Sequence, residues 1–166
     1  MKLKKLGILL IVSVFLLSSA AVVGAQDTTS SASVPANDEQ LVKALSSEGT
    51  WIVIFHDDYQ TDKDLVMEGE FKNRDEVDRK LALYASDADH NVTERYTLTA
   101  PSITVRSPKA RFQNGTFVGD VYIESNNFAL NGFTVDGDIY FETKEAKATF
   151  TVNGGTEITG DLINNF

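Results

Sequence analysis

Cysteine is absent, which removes disulfide frameworks, thiolate zinc sites, a cysteine nucleophile and a lipid-modified N-terminal cysteine. The same absence suits a reducing or an oxidising compartment, so it assigns no location. Proline is scarce at three residues, tryptophan occurs once and histidine twice. Basic residues are the other shortage, with 15 Lys+Arg against 24 Asp+Glu in 166 residues. Lys2, Lys4 and Lys5 fall in the first 25 residues, which hold no acid. The rest of the chain therefore has 12 basic against 24 acidic groups, a formal −12. Such a body repels nucleic acid and anionic lipid, which excludes both as default partners. No long amphipathic helical pattern follows Gly49, which argues against a doubly wound α/β fold.

The N-terminus reads as an address. Met1–Lys5 is cationic, Leu6–Leu17 is an unbroken apolar run, and Val23-Gly24-Ala25 places small side chains before a cut after Ala25. Those three parts make a secretory signal peptide over residues 1–25, so the protein is expected to be secreted or displayed at the cell surface. The alternative is an uncleaved anchor, because Leu6–Ala25 is uncharged and just long enough to span a bilayer. With cleavage, no integral membrane contact remains. Gln26–Asn37 (QDTTSSASVPAN) is Ser/Thr-rich and reads as a flexible linker. Residues 38–166 are long enough for one domain with a core.

Asn37 or Asp38 is expected to cap a short helix over Glu39–Ser46, closed by Gly49. Strand patterns follow: Trp51–Phe55, Leu65–Met67, Leu81–Tyr84, Tyr96–Leu98 and Ile103–Val105. The charged stretch Asp75–Lys80 reads as a turn or a single helical turn.

The last third repeats itself. Segments beginning at Asn114-Gly115, Asn131-Gly132 and Asn153-Gly154 each reach a Gly-Asp pair a few residues later, at Gly119-Asp120, Gly137-Asp138 and Gly160-Asp161, and then enter a strand. Asn and Gly tolerate positive φ, so each pair makes a corner. A unit of about 20 residues cannot bury its own apolar face, and stacking such units in a coil solves that problem. The fold predicted is all-β, a right-handed parallel β-helix with a short N-terminal capping helix. The alternative is an antiparallel β-sandwich in which Asn-Gly marks hairpins. A hairpin would put its return strand directly after Asn-Gly, whereas a second glycine corner intervenes here. The strict calcium β-roll is excluded, because its Gly-Gly-x-Gly-x-Asp nonapeptide is missing.

Gly49-Thr50-Trp51-Ile52-Val53, Arg79-Lys80-Leu81-Ala82-Leu83-Tyr84 and the Gly-Asp-Val-Tyr and Gly-Asp-Ile-Tyr strands together resemble the single-stranded right-handed (pectate-lyase-like) β-helix superfamily. They are most similar to small uncharacterised exported β-solenoid proteins of bacteria. The resemblance implies an amphipathic helical cap and says little about chemistry.

Strand alternation turns Val121 and Ile123 one way and Asp120, Tyr122 and Glu124 the other; Asp138, Tyr140 and Glu142 repeat the outward set. In a parallel coil these positions stack about 4.8 Å apart, as an Asp, a Tyr and a Glu ladder. Asp161 extends the first ladder, while Ile163 and Asn165 interrupt the other two. Stacked carboxylates repel by about 1 kcal/mol per pair in water, so a raised pKa, a basic residue or a bound cation should relieve them. Calcium is the plausible cation, although no cofactor is required. The six residues are the candidate ligand site, suited to a cell-envelope glycan that stacks on tyrosine and hydrogen-bonds to acids. The plainer reading is a solvated surface.

Catalytic signals are thin. Arg106, Lys109 and Arg111 are the only basic group near the acidic strands and read as solvated loop residues. Asp87-Ala88-Asp89-His90-Asn91 opens like a calcium loop, but Val92 stands where its glycine belongs and Leu98 where its glutamate belongs. His56 beside Asp57 and Asp58 reads as a loop histidine. The expected function is a non-catalytic structural or binding module outside the cell, self-associating through an uncovered last rung after which the chain ends at Phe166. The alternatives are a glycan-binding module and a small polysaccharide-degrading enzyme.

Overall fold

The computed structural model describes residues 32–166; the expected signal peptide over residues 1–25 and the first half of the expected linker lie outside the described residues. The chain opens with β1 (Ala32–Ser33) and α1 (Asp38–Leu45). It then passes five times, in the same order, through three ladders of parallel strands. The first pass is β2 (Ile52–Ile54), β3 (Tyr59–Gln60) and β4 (Leu65–Met67). A hairpin of β5 (Lys72–Asn73) and β6 (Glu76–Val77) follows. The second pass is β7 (Arg79–Ala82), a hairpin of β8 (Tyr84–Ser86) and β9 (Val92–Arg95), and then β10 (Thr97–Val105). The third is the single long strand β11 (Ala110–Ile123), and the fourth is β12 (Ala129–Asp136) with β13 (Ile139–Phe141). Helix α2 (Lys144–Thr149) leads to the fifth, β14 (Thr151–Asn153), β15 (Glu157–Ile158) and β16 (Leu162–Asn164).

The first ladder runs β1-β2-β7-β11-β12-β14, the second β3-β10-β11-β12-β15 and the third β4-β10-β11-β13-β16. Every pairing within them is parallel, which sets aside the antiparallel sandwich; among the described residues only the two hairpins are antiparallel. The chain is therefore mainly β, built on one large parallel sheet. Ala32 and Ser33 pair with Ile52 and Val53, so the end of the segment read as a flexible linker belongs to the first ladder.

Parallel register puts like on like. Val53, Leu81, Phe112 and Leu130 stack in one buried column, Leu98, Phe117 and Val135 in a second, and Leu65, Ile103, Val121 and Ile139 in a third. Each buried side chain contributes roughly 1.5–3 kcal/mol relative to exposure. At the corner between the second and third ladders, Gly119, Gly137 and Gly160 stack. A Cβ on Gly137 would overlap the Gly119 carbonyl oxygen, and one on Gly160 would overlap that of Gly137. Close backbone approach is the reason for glycine here, and it explains half of the Gly-Asp motif.

Helix α1 lies over the first pass. Asn37 is its N-cap, accepting from the Gln40 N–H at 2.9 Å, and Leu41, Ala44 and Leu45 are buried beneath it. Three ties hold it: the Glu68 N–H to the Leu45 carbonyl (2.9 Å), the Tyr59 hydroxyl to Asp38 (2.9 Å), and Arg79. Arg79 is wholly buried and donates to the carbonyls of Ala44 (2.9 Å), Leu45 (2.8 Å), Ser46 and Thr50, with its guanidinium over the Phe71 ring. Those of Ala44, Leu45 and Ser46 are acceptors at the helix C-terminus, where the helix dipole also favours a cation; Thr50 lies beyond it. The charged stretch Asp75–Lys80, read as a turn or a single helical turn, instead spans β6 and the start of β7, where Arg79 is buried.

Helix α2 was not legible, being six residues long; Thr143 caps it and Ala146 is buried. Its C-cap Phe150 packs on Phe128 and Phe141. Among the described residues, no helix is long and apolar enough to cross a membrane.

Replacing Arg79 with Met strands the α1 carbonyls, and chemical denaturation should show a loss of about 3 kcal/mol. Gly137→Ala forces the backbones of two passes apart and should cost at least about 2 kcal/mol by the same measurement.

Candidate functional site

The six candidate residues lie on the outer face of the third ladder, where Val121–Ile123 pairs with Ile139–Phe141. Both tyrosines are half-buried and in register. Their rings stack with centroids 4.6 Å apart and planes 9° from parallel. Thr104 precedes the pair in the column and Ile163 follows it. The facing ring surfaces thus cover each other, and the Tyr140 hydroxyl donates to Asp138 at 3.4 Å.

The aspartates do not confront one another as bare charges. Asp120 Oδ1 accepts the Asp138 N–H at 3.1 Å, and Asp138 Oδ1 accepts the Asp161 N–H at 2.8 Å. Each carboxylate caps the backbone amide of the next pass, which is a charge-assisted bond. The column reaches back to Asp64, which accepts the Ser102 hydroxyl at 2.7 Å.

On the far side of the strands, Arg106 lies between two glutamates. It donates to Glu124 at 2.9 and 3.3 Å and lies 3.9 Å from Glu68. Arg106 was read as a solvated loop residue; it is the cation that relieves the glutamate ladder. These side chains are 40 to 49% exposed, so each pair contributes at most about 1 kcal/mol. Glu142 receives the Asn165 amide at 2.7 Å.

Five frames stack here: Asp64–Glu68, Ser102–Arg106, Asp120–Glu124, Asp138–Glu142 and Asp161–Asn165. Sequence reasoning recognised only the last three. The shared signal is an oxygen-bearing residue four positions before a charged or amide residue, with an apolar strand residue after the first. Ser102 keeps the 18-residue spacing to Asp120 but carries Pro101-Ser102 in place of Gly-Asp, and the hairpins β5–β6 and β8–β9 stretch the Asp64–Ser102 spacing to 38.

The Asn-Gly pairs carry a smaller correction. Gln113 and Asn131 are in register, as are Asn131 and Asn153. Asn114 therefore aligns with Gly132 and Gly154, and all three adopt positive φ (52°, 57° and 43°). The first Asn-Gly is one residue out of phase with the others, which is why its spacing is 17 while the Gly-Asp spacing is 18.

The calcium-like stretch is the β8–β9 turn. Asp87 accepts the N–H groups of Asp89 and Asn91 and the Asn91 side-chain amide, and these bonds to Asn91 hold its carboxyl below the usual range. Among the described residues, no group of three or more metal-ligating side chains converges.

Arg111, also read as solvated, forks onto Asp78, which Asn73 holds from the other side at 3.2 Å. No protein-family model, curated protein or solved structure matches the chain.

Three of the five tyrosines have raised pKa values. The Glu94 hydrogen bond pushes Tyr96 up to about 12; desolvation and then Asp120 and Asp138 raise Tyr140; desolvation and Asp38 raise Tyr59. The unfolded chain releases these protons near pH 10, before the folded one does. Stability contributed by these groups is therefore present below pH 10 and is lost as pH rises from about 10 to 12. Ultraviolet titration of native and urea-unfolded protein should show late-titrating tyrosines only in the native form.

Proposed function

We propose that residues 38–166 form a right-handed parallel β-helix capped by α1, exported by the signal over residues 1–25, and that the protein is a non-catalytic structural module outside the cell. The supporting observation is how the outer face of the third ladder uses its polar groups. Asp120 and Asp138 cap amides of the next pass, Tyr122 and Tyr140 cover each other, and Arg106 joins Glu68 to Glu124. Side chains engaged this way hold register, whereas a catalytic or ligating site leaves its acids free for substrate. A sugar stacking on the tyrosines would find only the outer ring faces, which makes the glycan site at Asp120, Tyr122, Glu124, Asp138, Tyr140 and Glu142 the weaker reading. Calcium is likewise not needed to relieve these acids, because amides and Arg106 already do so.

Self-association belongs to the same proposal. Val152 and Leu162 extend the buried columns into the fifth pass but are 50 and 51% exposed, and Phe166 is 49% exposed. Among the described residues, strands β14, β15 and β16 each pair on one side only and contain no Lys or Arg, the one lysine that reaches them being Lys147, which donates to Asn164 at 2.8 Å. Since α1 covers the first pass, a second copy can meet this end only by its own fifth pass. That makes a closed two-fold pair and not a filament.

Light scattering should give a mass that rises from one copy to two with concentration and stays at one copy for Val152→Glu plus Leu162→Glu. A parent that is monomeric at every concentration overturns the association. Tyr122→Ala plus Tyr140→Ala should lower stability by about 1–2 kcal/mol, as a register-holding pair would. Unchanged stability counts against the structural role.

A further inference from the structure

The hairpin β5–β6 and the corner before β11 enclose a polar recess of about 450 Å³, lined by Asn73, Arg74, Glu76, Asp78, Lys109 and Arg111 among others. In a body of formal charge −12, three basic side chains converge here on two acids. One of those acids, Asp78, is already bound by the Arg111 fork and by Asn73. The fork uses two of the five guanidinium N–H donors of Arg111 and holds the rest in a fixed orientation. Arg74 and Lys109 make no ion pair among the described residues.

The backbone at these two cations points the same way. Arg74 and Asp75 are the two central residues of the β5–β6 turn, with φ of 50° and 69°, between the paired Asn73 and Glu76. A two-residue turn with positive φ at both positions favours Asn-Gly. Lys109 has φ of 52°. Because Arg111 pairs with Ala129, the position matching Lys109 in the next pass is Asn127, with φ of 60°. The same corner is thus made by asparagine in one pass and by lysine in the other. Two separate left-handed positions lining one recess carry long cations where asparagine or glycine would cost less.

We propose that this recess binds an oxyanion-bearing small molecule, its sulfate or carboxylate seated between Arg74, Lys109 and the free N–H groups of Arg111. The volume falls in the range of small-molecule sites and exceeds what a bare inorganic ion fills. Glu76 also lines the recess and supplies an acceptor for a hydroxyl of the same molecule, which fits a sugar acid. The rest of the surface repels anions, so affinity comes from these short contacts and not from long-range steering.

The test is an amide-shift titration of the purified protein at constant ionic strength, with sodium sulfate, sodium glucuronate and uncharged glucose. Saturable shifts at Arg74, Lys109 and Arg111 are expected with the anions and none with glucose. Saturation by sulfate alone assigns the site to free inorganic anions, and saturation by glucuronate assigns it to sugar acids. Arg74→Asn plus Lys109→Asn should weaken binding at least about tenfold while the melting temperature equals or exceeds the parent's, because asparagine suits both turns. Unsaturable shifts in the parent, or unchanged affinity in the double variant, overturn the proposal. The self-association experiment is independent of either result.

Discussion

Every feature of this protein answers to one constraint: parallel strands from successive passes stack in register, about 4.8 Å apart. Whatever a position carries, its neighbours above and below must accommodate it. Apolar residues gain from this, and Phe112, Phe117 and Ile123 are fully buried among their equivalents. Backbones gain only where nothing projects between them, hence Gly119, Gly137 and Gly160. Acids would lose, and the chain removes the loss by turning each carboxylate onto the next amide or onto Arg106. The outer ladder of Asp, Tyr and Glu is therefore a consequence of stacking first and a surface second.

The two ends meet the same constraint differently. A parallel stack has no natural termination, since its outermost strands offer unpaired backbone and bare apolar residues. At the first pass α1 supplies the cover, and Arg79 joins the helix to the strands. Burial of that guanidinium lowers its pKa to about 10. Among the described residues no carboxylate pairs with it; the carbonyls of Ala44, Leu45, Ser46 and Thr50 accept from it instead. A helix C-terminus concentrates such carbonyls, which makes it a workable partner for a buried cation. At the fifth pass Val152 and Leu162 remain half exposed, and the proposed association surface rests on that asymmetry.

Much of the site was legible because stacking turns a one-dimensional period into a contact. Tyr122 and Tyr140 are 18 residues apart, and a shared period is enough to place them ring on ring. Asp64 escaped because the β5–β6 and β8–β9 hairpins put 38 residues between it and Ser102, and an insertion breaks a period without breaking the stack. Ser102, one 18-residue period before Asp120, escaped because Pro101-Ser102 stands where the motif has Gly-Asp. Arg106 escaped for a different reason. Its role depends on which residues flank it in the neighbouring passes, and Glu68 lies 38 positions away. Arg79 was hidden inside a charged run that looked like a solvated turn.

Local chemistry was sufficient for the main ladder strands but not for β1, β3 or the two hairpins. It was sufficient for the Asn37 cap, the glycine corners and the outward set Asp120, Tyr122, Glu124, Asp138, Tyr140 and Glu142, because each depends on backbone preference or on alternation along one strand. Partnership was not local. Whether a carboxylate met an amide, an arginine or another carboxylate, and whether Arg74 and Lys109 lined one recess, depended on contacts between distant passes. Insertions and corners set those contacts, and their lengths follow no period that a sequence displays.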